Sequence, residues 1–230
     1  MTAAGNMETR PSGKVSRNRQ GQKLGRKGRD TKERILAAAG TLIDQNPNSA
    51  VTLSAVAREA GLSMSSVYNY FKDFPALLLA LLEPVTLAAR EGYLSLLDDY
   101  WPDDELSDRC RAFVASYYDF WRTHGRLLHF RNAYADGHEL PLMRSRIDVA
   151  IPVIRKLASQ MGHEDPVPGT PVMSMATSLY VGLERAFSVA TDTNFQEVFP
   201  NEFALHVDSL LAAQSRLLEL GISDFRQSAD

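Results

Sequence analysis

The chain of 230 residues has a single cysteine, Cys110. It cannot form an intrachain disulfide, which excludes a disulfide-stapled scaffold and suits a reducing compartment. Long apolar runs are also missing. Ala76–Leu82 ends at Glu83–Pro84, too short to cross a bilayer. The N-terminus is polar and holds no apolar core of a signal peptide. There is no glycine-rich phosphate loop and no nucleophile elbow. The histidines (His124, His129, His138, His163 and His206) fall at no metal-ligand spacing with Cys, Asp or Glu. No window alternates apolar and polar residues at period two, so no sheet is expected. These absences predict an all-α, cytoplasmic protein that is not an enzyme, with no catalytic set, no metal, no cofactor and no membrane span. Cys110, beside Phe113 and Val114, is expected to pack rather than react.

The informative segment is Thr52–Phe71, TLSAVAREAGLSMSSVYNYF. Thr52 stands where a helix N-cap is wanted. Leu53, Val56, Ala57 and Ala60 then fall at i, i+3, i+4 and i+7, one apolar stripe. Gly61 follows, the residue best able to take a positive φ after a helix. Leu62 is placed to plug the corner, and Ser63 to cap a second helix. In that second helix Met64, Val67 and Phe71 face one way. Ser65, Tyr68, Asn69 and Lys72 face the other, flanked by Ser66 and Tyr70. The outward set offers hydroxyls, a phenol, an amide and an ammonium, with no acid before Asp73. Two short helices with a tight turn and a polar second helix are the layout that reads the DNA major groove.

A net charge of −3 looks wrong for a DNA-binding protein, but its distribution does not. Residues 1–29 carry eight basic residues against Glu8, a local charge of +7, which leaves −10 on the remainder. The basic tail adjoins the helix-turn-helix, and the local field is what a polyanion meets. The same residues contain almost no large apolar side chains and are expected to be disordered. Helix one is predicted to start at Asp30 or Thr31, with Ile35, Leu36, Ala39, Leu42 and Ile43 as its buried stripe and Asn46–Pro47–Asn48 ending it.

Residues Arg34–Leu78 resemble the N-terminal domain of the tetracycline-repressor (TetR) family of bacterial regulators. The resemblance rests on ILAAAGTLI (Ile35–Ile43), TLSAVAREAGLS (Thr52–Ser63), SSVYNYFKD (Ser65–Asp73) and the pair Leu77–Leu78, in register without gaps. It implies that the helix from Ser63 is the recognition helix, with Ser65, Ser66, Tyr68, Asn69 and Tyr70 at bases or phosphates and Thr52 at a phosphate; Ser63 is a further DNA-binding candidate. One position departs. The family carries a phosphate-binding lysine where this chain has Phe74, and Lys72 is the candidate replacement. Arg26, Lys27 and Arg29 of the tail are further candidates, for the minor groove.

Beyond Pro75 only helical periodicity is present. The expected pieces are Pro75 to about Asp98, bent at Pro84; a break at Trp101–Asp104; a helix to about Thr123; and Gly125–Ala135. Pro141 to Met161 follows, kinked at Pro152, then a loop over 163–171, then Val172–Ala190 and Asn201–Leu220, with Gly221 as the stop. The predicted organisation is a tail (1–29), a three-helix helix-turn-helix unit (30–77) and, continuous with it, a C-terminal helical bundle (78–230). The last two helices carry apolar stripes, Ala176–Leu179–Tyr180–Leu183–Phe187–Ala190 and Phe203–Val207–Leu210–Leu211–Leu217–Leu218. Either both serve the monomer's core, or part of each meets a second copy; the resemblance implies a homodimer through these helices.

The resemblance also implies a small-molecule effector in the middle helices, a ligand-released repressor and a double-stranded DNA operator as partner. The aromatic-rich body suggests an apolar or aromatic effector among Tyr117, Trp121, Phe130, Asn132, Met175 and Tyr180. Arg131 and the softer Met143 and Met173 are also placed to line a cavity. The competing class is an all-helical enzyme or scaffold with a helix-turn-helix shape. If the tail contacts DNA, deleting residues 1–25 flattens the dependence of DNA affinity on salt; an unchanged slope in titrations across salt concentrations rules the contact out.

Overall fold

The computed structural model describes residues 21–45, 51–162, 166–198 and 206–227. Among these residues all regular structure is helical. α1 (Arg26–Gln45), α2 (Leu53–Glu59) and α3 (Met64–Tyr68) form the head, and α4 (Phe74–Glu91) leads into the body. The body contains α5 (Leu106–Asp136), α6 (Leu140–Gln160), α7 (Pro171–Ala190), the short α8 (Thr193–Val198) and α9 (Val207–Gln227).

The head forms for the local reasons its sequence suggests. The Thr52 hydroxyl accepts from Ala55 N at 3.2 Å and caps α2; the Ser63 hydroxyl accepts from Ser66 N at 3.2 Å and caps α3. Gly61 takes φ +61° in the turn between them. α1 begins earlier than predicted, at Arg26 and not at Asp30 or Thr31. Its first turn is held by Arg29 N on Gly25 O at 3.0 Å and by Arg29 Nη1 on Leu24 O at 3.1 Å, with Leu24 buried beneath. Residues 26–29 are therefore helix rather than tail. The expectations for residues 1–20, for Asn46–Asn48 and for Phe203 lie outside the described residues.

The core of the head is continuous with α4. Ile35, Ile43, Val56 and Val67 share one buried cluster with Leu77 and Leu78 of α4. Asp73 caps α4 through Oδ1, which accepts from Ala76 N at 2.8 Å, and Pro75 sits in the first turn where it costs no hydrogen bond. Phe74, the position where the resemblance leads one to expect a lysine, is buried. Its ring meets Phe130 at 6.3 Å and Tyr134 at 5.5 Å, centroid to centroid. Beside it, Arg126 of α5 donates from Nη1 to the carbonyls of Ile43 (3.3 Å) and Asp44 (2.6 Å), capping the end of α1. Head and body are thus joined by an aromatic contact and by a guanidinium on a helix terminus.

Four helix predictions need correction. α4 ends at Glu91, not near Asp98; a Cβ at Gly92 would stand 2.8 Å from the Ala88 carbonyl, and a 3-10 turn (Ser95–Leu97) follows. α5 runs unbroken through Gly125, where a Cβ would come within 3.3 Å of Thr191 Oγ1. α9 starts at Val207 and continues through Gly221 to Gln227. A Cβ at Gly221 would lie 2.8 Å from Leu179 Cδ1, so that glycine lets α9 lie against α7. The short α8 has no counterpart among the expected helices. Pro84 and Pro152 do lie inside α4 and α6.

The body is built around α5, which packs on α4, α6, α7 and α9. Its centre is aromatic: Tyr117 meets Tyr93 (4.5 Å), Phe113 (6.1 Å), Tyr180 (6.2 Å) and Phe187 (5.6 Å). Cys110 is fully buried, as the sequence suggested, and burial pushes its thiol up to about 12. Phe74→Ala removes a large buried ring at the seam and is expected to lower unfolding free energy by about 3–5 kcal/mol in urea titrations.

Candidate functional site

Two regions carry chemistry. The first is the outer face of α2–α3. Thr52, Ser63, Ser65, Tyr68, Asn69 and Lys72 are exposed, whereas Val67 and Phe71 are buried behind them and Met64 is half-buried. The division into inner and outer faces is the one that helical spacing predicted. Ser63 Oγ lies 2.9 Å from Ser65 Oγ and 2.8 Å from Ser66 Oγ, a cluster of hydroxyls at the start of α3. Tyr68 leaves 44% of its surface in solvent. α3 itself is short, ending at Tyr68, and Asn69 follows as its C-cap. Tyr70 is half-buried and packs on the core, so its ring is an anchor and only its edge is free.

Lys72 pairs with Asp73 at 3.5 Å, with both side chains largely exposed. A pair of this kind contributes little and leaves the ammonium available to a phosphate. The Lys32 ammonium sits 5.9 Å above the Phe71 ring, which brings the first turns of α1 beside the end of the turn-helix unit. Arg29, one turn before Lys32, and Arg26 and Lys27 are exposed there. The face is therefore polar and cationic at one edge, and α3 itself carries no acid.

The second region lies inside the body. Arg131 and Glu184 are buried, with side chains 6% and 7% exposed, and their ion pair spans 3.4 Å. Arg131 also donates from Nε (3.1 Å) and Nη2 (3.0 Å) to Asn132 Oδ1. Glu184 is shared with Arg146 at 3.5 Å, and Arg146 reaches the exposed Asp136 at 3.0 Å. Three phenols stand near this charge. Burial first and the neighbouring Tyr180 phenol second raise Tyr93 and Tyr117 well above the usual phenol range. Tyr180 is pushed up to about 12 by burial and then by Glu184. All three stay protonated and can donate hydrogen bonds at neutral pH.

The six residues proposed around an effector are only partly gathered. Tyr117 and Tyr180 stack, and Trp121 is buried one turn from Tyr117. Phe130 turns to Phe74 instead, Asn132 holds Arg131, and Met175 is half-buried on α7. None of the six lines either of two open spaces in the body. One is a surface cleft of about 470 Å³ bounded by Tyr100, Lys156 and Gln160. The other is a narrow gap of about 10 Å³ between α4, α5 and α6, bounded in part by Phe120 and Arg131.

Arg126 and Glu184 are functional candidates that only the structure brings forward. Glu184 has a signal in the sequence: it falls four residues after Tyr180 and three before Phe187, a charge inside an apolar stripe. Arg126 has none, because its partners are the backbone of a helix some eighty residues earlier.

The molecule is thus a helix-turn-helix head on an all-helical body. Residues 35–81 match the bacterial regulatory proteins of the tetR family. Over that segment the chain is similar to this family. No curated protein matches the chain in sequence. Solved structures share its fold over most of their length. A tetR-family transcriptional regulator from Streptomyces coelicolor has a TM-score of 0.57 at 17% identity, covering 90% of this chain and 85% of that one. The fatty acid degradation regulator FadR from Bacillus halodurans has 0.56 at 13%, covering 86% and 97%. A TetR family regulator from Marinobacter aquaeolei VT8 has 0.55 at 17%, covering 86% and 98%. At these identities the likeness establishes the fold, an all-helical one with an N-terminal helix-turn-helix.

The roles of Asn69 and Lys72 can be separated. Asn69→Ala is expected to cost about 1–3 kcal/mol on a specific site and to relax preference at one base pair. Lys72→Ala should weaken all sequences alike and lower the salt slope by about one. Identical behaviour of the two variants on specific and random DNA contradicts the assignment.

Proposed function

We propose that the protein is a DNA-binding transcriptional regulator of the cytoplasm, a homodimeric repressor released from its operator by a small molecule. The observation that carries the reading is the exposed, acid-poor face of α3, set by the Ser63 cap on a tetR-family segment. Tyr68 and Asn69 would read base edges; Thr52, Ser63, Ser65, Ser66, Tyr70 and Lys72 would hold phosphates or flank them. Arg26, Lys27 and Arg29, at the start of α1, would add contacts beside the groove.

A dimer through α7 and α9 is supported by what those helices leave uncovered. The apolar stripe of α7 from Ala176 to Ala190 is buried in the monomer. Its opposite face exposes Thr177, Ser178, Val181 and Gly182, small side chains that let another helix approach. On α9, Leu218 and Ile222 are buried while Leu217 and Leu220 are about half exposed. Two such helix pairs would form a four-helix interface and set two recognition helices on half-sites about 34 Å apart.

Effector binding would act through α4, which begins at the reading head and ends in the body. The site would open from the gap between α4, α5 and α6 toward Tyr117, Asn132 and Tyr180, with Trp121, Phe130 and Met175 as further walls. A ligand that reverses a 1:99 population must prefer the released state by about 5.5 kcal/mol.

The direct test is a gel shift of the full chain with DNA from upstream of its own gene, wild type against Val181→Glu/Leu217→Glu. Wild type should shift a discrete fragment and sediment as a dimer, and the double variant should sediment as a monomer and lose the shift. Absence of binding to any genomic fragment at low salt removes the regulator reading.

A further inference from the structure

We infer that the body binds an amphipathic monoanion, its carboxylate-type head held by Arg131 and its apolar tail lying between α4 and α6. The inference rests on the reading of the body as an effector domain and names the chemical class of the effector.

The buried arginine is the starting point. Replacing a buried ion pair with apolar residues is often neutral or stabilising, so stability alone is a poor reason for Arg131–Glu184 in an aromatic core. The pair is also loosely made. Its contact is 3.4 Å, and Glu184 is divided between Arg131 and Arg146. Of the Arg131 nitrogens, Nε and Nη2 are engaged by Asn132 and Glu184, while Nη1 donates to no group among the described residues. A guanidinium presents a planar fork suited to two carboxylate oxygens, and this one has donor capacity left.

The position of the guanidinium decides the sign of the ligand. Arg131 borders the gap between α4, α5 and α6; Glu184 does not. A cationic group entering there would meet like charge first. A wholly apolar molecule would bury the remaining donor without a partner, which is unfavourable. Two buried or half-buried arginines surround one buried carboxylate, and the second carboxylate of the cluster, Asp136, is at the surface. The interior charge therefore favours an added anion. The protonated phenols near Glu184 supply donors and no competing negative charge.

The remaining walls select the tail. Leu82, Val85 and Ala89 of α4, Leu128 of α5 and Val149 of α6 make the gap mainly apolar. At about 10 Å³ it holds roughly one water, so a ligand enters only by parting α4 from α6. Pro84 falls between the wall residues Leu82 and Val85 in sequence, and its missing N–H leaves the helix one hydrogen bond short there. Parting would bend α4 at that point, between the ligand and the head.

The experiment uses calorimetric titration of the full-length protein with matched pairs: octanoate against octanamide, and 4-phenylbutyrate against 4-phenylbutanamide. At least one carboxylate should bind about tenfold or more tightly than its amide, the effect of one charge-assisted hydrogen-bond pair. Arg131→Met should remove that preference. Because it leaves Glu184 with Arg146 as its one remaining ion-pair partner among the described residues, the charge-neutral pair Arg131→Met/Glu184→Leu is measured beside it and should lose the preference too. Equal binding within pairs, tighter amide binding, no binding of any carboxylate, or a preference that survives in both variants overturns the inference. DNA affinity is read separately. Carboxylate binding through Arg131 that leaves DNA affinity unchanged keeps this inference and removes effector control, whereas release of DNA by the amides alone does the reverse.

Discussion

The head is too small to make a self-sufficient core, and α4 completes it. Ile35, Ile43, Val56 and Val67 are fully buried in one cluster with Leu77 and Leu78. The helix that closes the head also begins the body, so the two cannot be rearranged independently. Phe74 tightens the constraint. Where a lysine would have pointed to solvent, a ring is inserted against Phe130 and Tyr134. Arg126 adds a polar fastening from α5 to the last carbonyls of α1. α4 and α5 therefore connect the body directly to the head that carries Thr52, Ser63 and Tyr68.

The body combines a dense aromatic centre with a small charged one. Tyr117, Phe113, Phe187 and Tyr93 fill space at close ring distances. Arg131, Glu184 and Arg146 lie alongside, where each charge costs desolvation. Replacing such charges with apolar residues of similar volume is often neutral or stabilising, so they are not what holds the core together. The same cluster links α5, α6 and α7, the helices around which an incoming molecule would have to make room.

Much of the head is legible in the sequence because its determinants are local. The caps at Thr52 and Ser63, the positive φ of Gly61 and the inner face of Val67 and Phe71 depend on neighbours within a turn or two. The start of α1 departs from expectation because Asp30 and Thr31 are good caps by type, yet Leu24 finds a burial site and draws the helix back to Arg26. The ends of α4 and α9 and the continuity of α5 depart for a related reason. A glycine's sequence signal is the same whether it ends a helix or admits a neighbour.

The sequence by itself determined the all-helical class, the order and approximate extent of the main helices and the outward set on α3. These follow from periodicity and capping, which act over a few residues. Tertiary structure alone decided that Gly125 and Gly221 are close-packing positions, that Phe74 is a seam rather than a phosphate contact, and that Arg126 caps a distant helix. It also brought Arg131 to Glu184, 53 positions away, and set the arginine rather than the glutamate at the gap. Each of these depends on which helices meet and how closely, a property of packing that no short window of residues contains.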